Sequence, residues 1–449
     1  MIISVNKNDI CFRCYSKFSV VYDLRNQQIL KLEDVAADIM NHIISCEATS
    51  IDNIVQHIIS IYDCDKNDIY DDIIDFVQGL YDSSTIQFNH MYQDDLDEKD
   101  QAKSTATSND NLENQIISEL ESENQLYSAT IEMTYACNEK CIHCYAHYPE
   151  ANCSLGLSIE TYKNFIDQLK QQNAMHIAFT GGDPFMSPCF SEVFTYAREK
   201  GFVCDVFTNG LYLSSHSKEL NEILNLHPRS FYISLYGSKP EIHDKVTQIP
   251  GSFSKTTELV KSIRAHGVPV VLNVMLLSVN YHDLQNIIEL SESLNSEYRV
   301  SMSLIYRNDG DNSPMNYFIG NKDAIKSVIR RMDNIYSLDK PIDHENSSQY
   351  LCGAGVTSIC LSPTGEVYPC VSLKNSLGNI LTNSLEEIWN GQEREKIVTG
   401  LTWENTNKCK DCKHRKICPH CAGMSQAENG DLYECNTCDK IIAECISEL

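Results

Sequence analysis

The sequence predicts an α/β protein, a partial (β/α)6 barrel that follows a winged-helix-like N-terminal module and precedes a cysteine-rich C-terminal domain. Three observations lead to this prediction. Between residues 126 and 345, short apolar runs alternate with helical patterns, which is typical of repeated strand–helix units around a parallel sheet. Residues 1–90 change from strand patterns to helical patterns. Most of the 20 cysteines lie in 137–153 and in 352–445.

Length, composition and charge restrict the class of protein further. A chain of 449 residues is too long for one hydrophobic core, so several domains are expected. Its apolar runs fall short of a membrane span and its N-terminus lacks a signal-peptide pattern, which predicts a cytoplasmic protein without membrane association. A net charge of −26 argues against nucleic acid. Many cysteines in a reducing compartment indicate metal or redox chemistry.

The N-terminal module, residues 1–90, is predicted to be a strand meander followed by three helices. Strand patterns lie at 10–13, 18–23 and 28–32, and apolar stripes of helical period follow from Glu33. This order resembles the peptide-recognition element related to the pyrroloquinoline-quinone peptide chaperone. The resemblance implies that a leader peptide adds as a strand to the hairpin edge. A degenerate structural domain is the alternative.

A linker is predicted over residues 91–125. This stretch is acidic and rich in Ser, Thr and Asn, so it buries too little apolar surface to order itself. We therefore expect a flexible tether, with a short exposed helix at 111–121.

The barrel domain is predicted over residues 126–345. In such folds the chemistry lies on the loops that follow the carboxyl ends of the strands. The predicted strands are 129–134, 176–180, 203–207, 231–235, 270–276 and 299–305. The predicted helices are 158–172, 188–200, 214–226, 253–266, 281–294 and 321–336.

Three cysteines follow the first predicted strand with CxxxCxxC spacing, as Cys137, Cys141 and Cys144. Three soft sulfur ligands at this spacing can hold three corners of an iron–sulfur cube and leave the fourth iron open. A zinc knuckle or reduced core cysteines are the alternatives. The motif and its place in the fold resemble the cluster loop of the radical S-adenosylmethionine (SAM) enzymes.

That resemblance implies further cofactor contacts. His143 occupies the position near the adenine, and Ser234 the position near the ribose. Gly181-Gly182-Asp183 stands where the family has a Gly-Gly-Glu turn that contacts the methionine amino group, although Asp shortens the acceptor by one methylene. Asn273 is a polar residue inside an apolar strand, which is costly unless it has a partner. Thr208-Asn209-Gly210 closes the third strand, as in many members.

Cysteines recur through the predicted C-terminal domain, residues 346–449, around a hairpin signal at Pro363-Thr364-Gly365. Spacing alone would allow tetrathiolate zinc sites. The pattern resembles the SPASM extension of peptide-modifying radical SAM enzymes, whose cysteines hold two auxiliary [4Fe–4S] clusters. The resemblance implies, for the first cluster, Cys352, Cys370 and Cys421, and for the second, Cys409, Cys412, Cys418 and Cys438.

Three points about these cysteines stay open. Cys435 is the alternative to Cys438. Cys421 is less regular, because two residues separate it from Cys418 where the family usually has three. Cys360 is interpreted as a core residue, with a ligand role in the first cluster as the alternative. The scattered cysteines, interpreted as structural, are Cys11, Cys14, Cys46, Cys64, Cys153, Cys189 and Cys204.

These resemblances imply an enzyme that matures a ribosomally made precursor peptide. Its cofactors would be SAM and three [4Fe–4S] clusters, and its partners a precursor peptide with a leader and an external one-electron donor of flavodoxin or ferredoxin type. A thioether crosslink is favoured, with a carbon–carbon crosslink or sulfatase-maturase-like oxidation as alternatives. A non-enzymatic metal scaffold would leave the Gly-Gly-Asp turn unexplained. The sequence identifies neither a catalytic residue nor the precursor.

Overall fold

A computed structural model of the chain describes residues 2–6, 8–46, 48–82, 87–89, 107–146, 156–332 and 350–449. The predicted fold class is confirmed. The N-terminal elements are β1 (Ile2–Ser4), β2 (Ile10–Cys14), β3 (Phe18–Asp23), β4 (Gln28–Glu33), α1 (Asp34–Ser45), β5 (Thr49–Ser50), α2 (Ile51–Ile61), α3 (Lys66–Asp82) and β6 (Gln87–Asn89).

The N-terminal module contains the predicted antiparallel meander, in the order β2-β3-β4. One face of the meander, including Val21 and Leu32, packs on the apolar stripes of the three helices. Ser50 caps α2 by accepting a hydrogen bond from the main-chain N–H of Asn53. A second sheet, β5-β1-β6, was not predicted, because strands of two or three residues are too short to show alternation.

The helix α4 (Thr107–Ser122) forms an inner layer between the module and the barrel. Ile116 and Leu120 are fully buried, in one cluster with meander residues and with Met175 and Val203 at the amino ends of barrel strands. The prediction of an exposed helix was therefore wrong, because Ile116 and Leu120, with Leu112 and Ile117 partly buried beside them, supply an apolar stripe in a polar segment. The predicted tether before residue 107 lies outside the described residues.

The barrel consists of strand–helix units whose strands pair in parallel and in chain order. The fourth strand of the barrel is followed by two helices, and the first of these, a short one, was not predicted. The elements are β7 (Ser128–Glu132), α5 (Ile159–Gln171), β8 (His176–Thr180), α6 (Phe190–Glu199), β9 (Val203–Thr208), α7 (Ser217–Leu224), β10 (Ser230–Ser234), α8 (Pro240–Thr247), α9 (Ser252–Ala265), β11 (Val270–Met275), α10 (Leu284–Ser293), β12 (Glu297–Ser301) and α11 (Lys322–Arg331).

The C-terminal domain continues the barrel sheet. Its elements are β13 (Ser358–Leu361), β14 (Glu366–Tyr368), β15 (Gly378–Asn379), α12 (Leu385–Trp389), α13 (Gln392–Gly400), α14 (Ala422–Asn429) and α15 (Thr437–Ser447). Strand β13 pairs in parallel with β7 and antiparallel with β14, as the predicted hairpin requires. This pairing places the C-terminal domain next to β7, the barrel strand that the CxxxCxxC loop follows.

A buried ion network joins α4 to the amino-terminal end of the barrel. Arg229 Nε lies 3.0 Å from Asp205 Oδ1, and its Nη1 lies 3.2 Å from Glu113 Oε1 on α4. Burial alone would raise the pKa of Asp205, but Arg229 and His176 hold that pKa below its usual range. The network therefore fixes α4, and with it the N-terminal module, against the barrel.

Replacing Arg229 by Ala is expected to lower the free energy of unfolding by about 3–5 kcal/mol at neutral pH, because Asp205 loses its main counter-charge in a buried site. The stabilisation that Asp205 contributes is present above its unfolded pKa of about 4 and is lost as the pH falls toward the folded value. The difference in the free energy of unfolding between the wild type and the variant should therefore become smaller in acid. Denaturant titration measures it, with Lys218→Ala at an exposed site as control; a loss below about 1 kcal/mol would contradict the network.

Candidate active site and cysteine centres

The CxxxCxxC loop lies at the carboxyl end of β7 and is fixed on two sides. On one side Gly182 N donates to Thr134 O over 2.7 Å. On the other, Lys140 N and Ile142 N donate to main-chain carbonyls at the end of α8. The three thiols of the motif line one cavity of about 530 Å³.

The two glycines of the Gly-Gly-Asp turn are required by this loop. Gly181 has a φ of +138°, and a Cβ there would clash with Thr134 O. A Cβ on Gly182 would clash with Ala136 O. The close approach that these glycines allow is thus between β8 and the cysteine loop, and Gly181 and Gly182 also line the second cavity described below.

Asp183 is fully buried, and its carboxylate accepts hydrogen bonds from protein donors. Oδ2 accepts from Thr208 Oγ1 at 2.7 Å and from Asn209 N at 3.0 Å, while Oδ1 accepts from Phe185 N at 3.1 Å. Burial raises the pKa of Asp183, and these three hydrogen bonds oppose the rise. Its predicted contact with the methionine amino group stays a prediction. The turn nevertheless gives it a structural role that the sequence did not reveal.

A second cavity of about 240 Å³ adjoins the first and also contains the three thiols. The predicted cofactor residues His143, Ser234 and Asn273 all line it. Alternation along the strands explains this, because Ile233 and Leu272 point outward into the main core while their neighbours point into the barrel. The polar side chains in its lining and its position beside the cysteine loop fit SAM.

His143 packs edge-on against Tyr236, with ring centroids 4.8 Å apart. Burial lowers the pKa of His143 to about 4, so its imidazole is neutral at neutral pH. Its Nδ1 is buried without a hydrogen-bond partner among the described residues. An unpaired ring nitrogen at the wall of the cavity is the arrangement expected where a ligand supplies the missing polar group.

Asn209 contacts the cysteine loop in a way that the sequence did not predict. Its Nδ2 lies 2.7 Å from Asn138 Oδ1 and 3.6 Å from Cys137 Sγ. Hydrogen bonds to ligand sulfurs tune the potential of an iron–sulfur cluster. The Thr208-Asn209-Gly210 motif was a possible signal, although on its own it indicates only a turn.

Seven of the C-terminal cysteines lie in two groups in space, and the first group contains Cys352, Cys370 and Cys421. Burial raises the pKa of Cys421 to about 12, and the neighbouring thiols of Cys370 and Cys352 contribute. Cys421 is thus separated from the cysteines that immediately precede it in the chain. This is the interlocked arrangement that the SPASM resemblance implies and that spacing alone would not give.

The second group contains Cys409, Cys412 and Cys418, and the fourth thiol at its cavity belongs to Cys435. A hydrogen bond between the thiols lowers the pKa of Cys409 and raises that of Cys435. The resemblance favours Cys438, but the structure places that thiol elsewhere, 3.6 Å from Leu304 O. Cys435 precedes Asn436, the cap of α15, whereas Cys438 lies inside the helix on the face toward the barrel.

Cys360 is fully buried, as expected for a core residue, but it faces polar neighbours. Burial raises the pKa of its thiol, which is hydrogen-bonded to Glu132. Glu132 in turn lies 2.8 Å from Lys374 Nζ. Of the cysteines interpreted as structural, Cys153 lies outside the described residues.

No three Cys, His, Asp or Glu side chains of the described residues converge closely enough to hold one ion. A zinc ion needs its sulfur ligands at about 2.3 Å. A four-iron cluster takes one thiolate per iron and so holds its ligands farther apart than a single ion does.

Comparisons with known proteins agree with the predicted fold class. Family models match residues 131–291 (radical SAM superfamily), 352–413 (SPASM, iron-sulfur cluster-binding domain) and 19–86 (coenzyme PQQ synthesis protein D). The fold and the thiol loop thus define a radical SAM enzyme. More closely, the chain belongs to the radical SAM enzymes that carry a SPASM domain and a PqqD module, with SAM and iron–sulfur clusters as cofactors.

Individual relatives are similar over most of the chain. The antilisterial bacteriocin subtilosin biosynthesis protein AlbA of Bacillus subtilis is 30% identical over 65% of this chain and 66% of its own. An AdoMet-dependent heme synthase of Methanosarcina barkeri is 24% identical over 68% of this chain and 93% of its own. The structure of Streptococcus suis SuiB bound to precursor peptide SuiA covers 97% of this chain and 99% of that one, with 13% identity and a TM-score of 0.61.

No helix in the described parts of the chain is both long and apolar enough to span a bilayer.

Proposed function

We propose that the enzyme installs a crosslink in a ribosomally synthesised precursor peptide, with a thioether as the favoured product. The observation that carries this proposal is the combination, in one chain, of a PqqD module with a radical SAM barrel and two further cysteine groups. A module of this kind serves a peptide substrate with a leader. The similarity to AlbA, a bacteriocin biosynthesis protein, and to the SuiB–SuiA complex supports the same substrate class.

The geometry of the meander supports leader binding at β4. The opposite edge strand, β2, lies against the barrel, where Arg13 Nε donates to Ala174 O over 2.7 Å. For β4 no main-chain partner other than β3 is seen among the described residues. A peptide that adds as a strand therefore finds its free donors and acceptors along Gln28–Glu33.

The residues of the barrel would bind and orient the cofactors. Cys137, Cys141 and Cys144 would hold the first cluster, and the cavity lined by His143 and Ser234 would hold SAM. When bound, these cofactors supply one-electron cleavage of a carbon–sulfur bond and abstraction of a hydrogen atom from the substrate. The barrel side chains fix the adenosyl group and exclude water, so that the abstraction is directed at the peptide.

The C-terminal thiols would hold two further clusters. Cys352, Cys370 and Cys421 form one ligand set, and Cys409, Cys412, Cys418 and Cys435 form the other. Crosslinking removes two hydrogens from the peptide, of which only one leaves as the abstracted atom, so the other must leave as a proton and an electron. Electron acceptors next to the barrel supply this second oxidation, and they favour a peptide thiol as the group that traps the carbon radical.

Three alternatives share this site. A carbon–carbon crosslink requires the same loss of two hydrogens, with an aromatic ring in place of the thiol. The heme synthase relatives show that similar chains act on other substrates, and sulfatase-maturase-like oxidation is a further possibility for a SPASM enzyme. The PqqD module favours a leader-bearing peptide over both of these substrates.

Anaerobic reconstitution followed by assay with dithionite and SAM tests the radical chemistry, and co-expression with the neighbouring short open reading frame tests the substrate. We expect 5′-deoxyadenosine and a precursor lighter by about two hydrogens per crosslink, with the thiol count of the peptide reduced if the product is a thioether. Absence of 5′-deoxyadenosine would contradict the enzyme class. An unmodified mass with every short peptide encoded nearby would contradict the substrate.

A further inference from the structure

The carboxylate of Glu139 is buried in the cysteine loop and lacks a hydrogen-bond donor for one of its oxygens. Glu139 lies between Cys137 and Cys141, is 8% exposed, and lines both cavities beside the loop. Its Oε1 is buried without a hydrogen-bond partner among the described residues. Removing a carboxylate oxygen from water without giving it a donor is costly, so we expect a ligand in the cavities to supply one.

The other oxygen of Glu139 has its donor only while Cys141 is protonated. Oε2 accepts a hydrogen bond from Cys141 Sγ over 3.2 Å. A cysteine that binds iron is a thiolate and has no proton to donate. When the loop holds its cluster, Oε2 therefore loses this donor, and the carboxylate has a greater need of an N–H group from a ligand.

Asp183, the carboxylate that the family resemblance assigns to the methionine amino group, is placed differently. It is fully buried, and three protein donors bind its two oxygens. The described residues that line the two cavities include Gly182 of the same turn but not Asp183. Among those lining residues Glu139 is the one Asp or Glu, so the carboxylate that reaches the cavities belongs to the cysteine loop.

A guanidinium group with an unpaired nitrogen lines the larger cavity together with Glu139. Arg307 Nη1 lies 3.1 Å from Asp311 Oδ2, but Arg307 Nε is buried without a hydrogen-bond partner among the described residues. Since Glu139 Oε1 and Arg307 Nε both lack partners, these two atoms do not bind each other. The cavity thus offers one acceptor for an amino group and one donor for a carboxylate, which is the pair of groups that an amino acid carries.

We propose that Glu139 binds the amino group at the methionine end of SAM, in place of Asp183. This inference rests on the proposed function only for the binding of SAM beside the cysteine loop. The adenosyl end stays in the cavity lined by His143 and Ser234, which the three thiols also line. Arg307 favours the methionine end over a lysine side chain of the peptide as the source of the amino group, because a lysine side chain brings no carboxylate with it.

The test compares three ligands on the reconstituted full-length enzyme. SAM and S-adenosylhomocysteine carry the amino and carboxyl groups, whereas 5′-methylthioadenosine has the same adenosyl group without them. Glu139→Gln keeps the size of the side chain and removes its charge, and Glu258→Gln, at an exposed site on α9, is the matched control. Anaerobic equilibrium binding gives a dissociation constant for each ligand, and iron is analysed in the same preparations.

Glu139→Gln is expected to bind SAM and S-adenosylhomocysteine about ten- to a hundredfold more weakly and to bind 5′-methylthioadenosine within about twofold of the wild type, because only the first two ligands lose a hydrogen bond to a charged group. The control variant should bind all three ligands as the wild type does, and the iron content should be the same in all three proteins. Binding is measured without the precursor, so a failure of the proposed crosslinking leaves this result unaffected.

Three outcomes would overturn the proposal. An unchanged affinity for SAM, or an equal loss for all three ligands, would show that Glu139 does not bind the methionine end. A loss of iron would show that Glu139 supports the cluster loop instead. Unchanged binding of SAM combined with weaker binding of the precursor peptide would assign the carboxylate to an amino group of that peptide.

Discussion

Replacing Asp183 by Glu, which restores the turn usual in radical SAM enzymes, is expected to slow 5′-deoxyadenosine formation about ten- to a hundredfold. The carboxylate is fully buried and accepts three hydrogen bonds from Phe185, Thr208 and Asn209. An added methylene in such a site costs about 1–3 kcal/mol through displaced neighbours. If Asn209 moves, Cys137 loses the amide that lies 3.6 Å from its sulfur.

Anaerobic rate measurements with dithionite and SAM check this expectation, together with the electron paramagnetic resonance spectrum of the reduced enzyme. The spectrum should shift, because the surroundings of Cys137 change even where iron content does not. Asp167→Glu, on the outer face of α5, adds the same methylene at a partly exposed site and should leave both readouts unchanged. A rate equal to or above that of the wild type would show instead that a longer carboxylate at position 183 reaches the methionine amino group.

The sequence was sufficient wherever one periodic signal determines one element. Strand β8 lies at His176–Thr180, as the apolar run over 176–180 predicts. Parallel strands place their carboxyl ends at one edge, so the CxxxCxxC loop and the Gly-Gly-Asp turn had to meet. The cavity residues Ser234 and Asn273 follow from the same rule combined with alternation along the strands.

The sequence was insufficient where a residue's role depends on contacts with distant segments. The sequence of α4 is mostly polar, yet Ile116 and Leu120 are buried because both the meander and the barrel pack against them. The carboxylate of Asp183 has the right chemistry for an ammonium ion, but Thr208 at the end of β9 and Asn209 after it already donate hydrogen bonds to it. Neither contact has a local signal.

The choice between Cys435 and Cys438 also depends on contacts with distant segments, because the two thiols are only three residues apart in the sequence. Helix α15 begins between them, at Thr437, with Asn436 as its cap. The cap fixes the rotation of the helix and turns Cys438 toward Leu304, while Cys435 stays in the loop beside Cys409. Distance along the sequence is nearly equal for both residues, and the start of the helix decides between them.

Cys435→Ala is therefore expected to lose about four iron atoms per chain and to abolish crosslinking, whereas Cys438→Ala should retain full iron content. The first change removes a thiolate from the second cysteine group, and the second removes a buried thiol that packs among apolar side chains. Both variants should still form 5′-deoxyadenosine, because the CxxxCxxC loop is unchanged. Iron analysis and peptide mass measured on the same preparations distinguish the two variants. If Cys438→Ala loses the iron and Cys435→Ala does not, the spacing preferred in the sequence analysis is right and the capped geometry of α15 does not persist in the loaded enzyme.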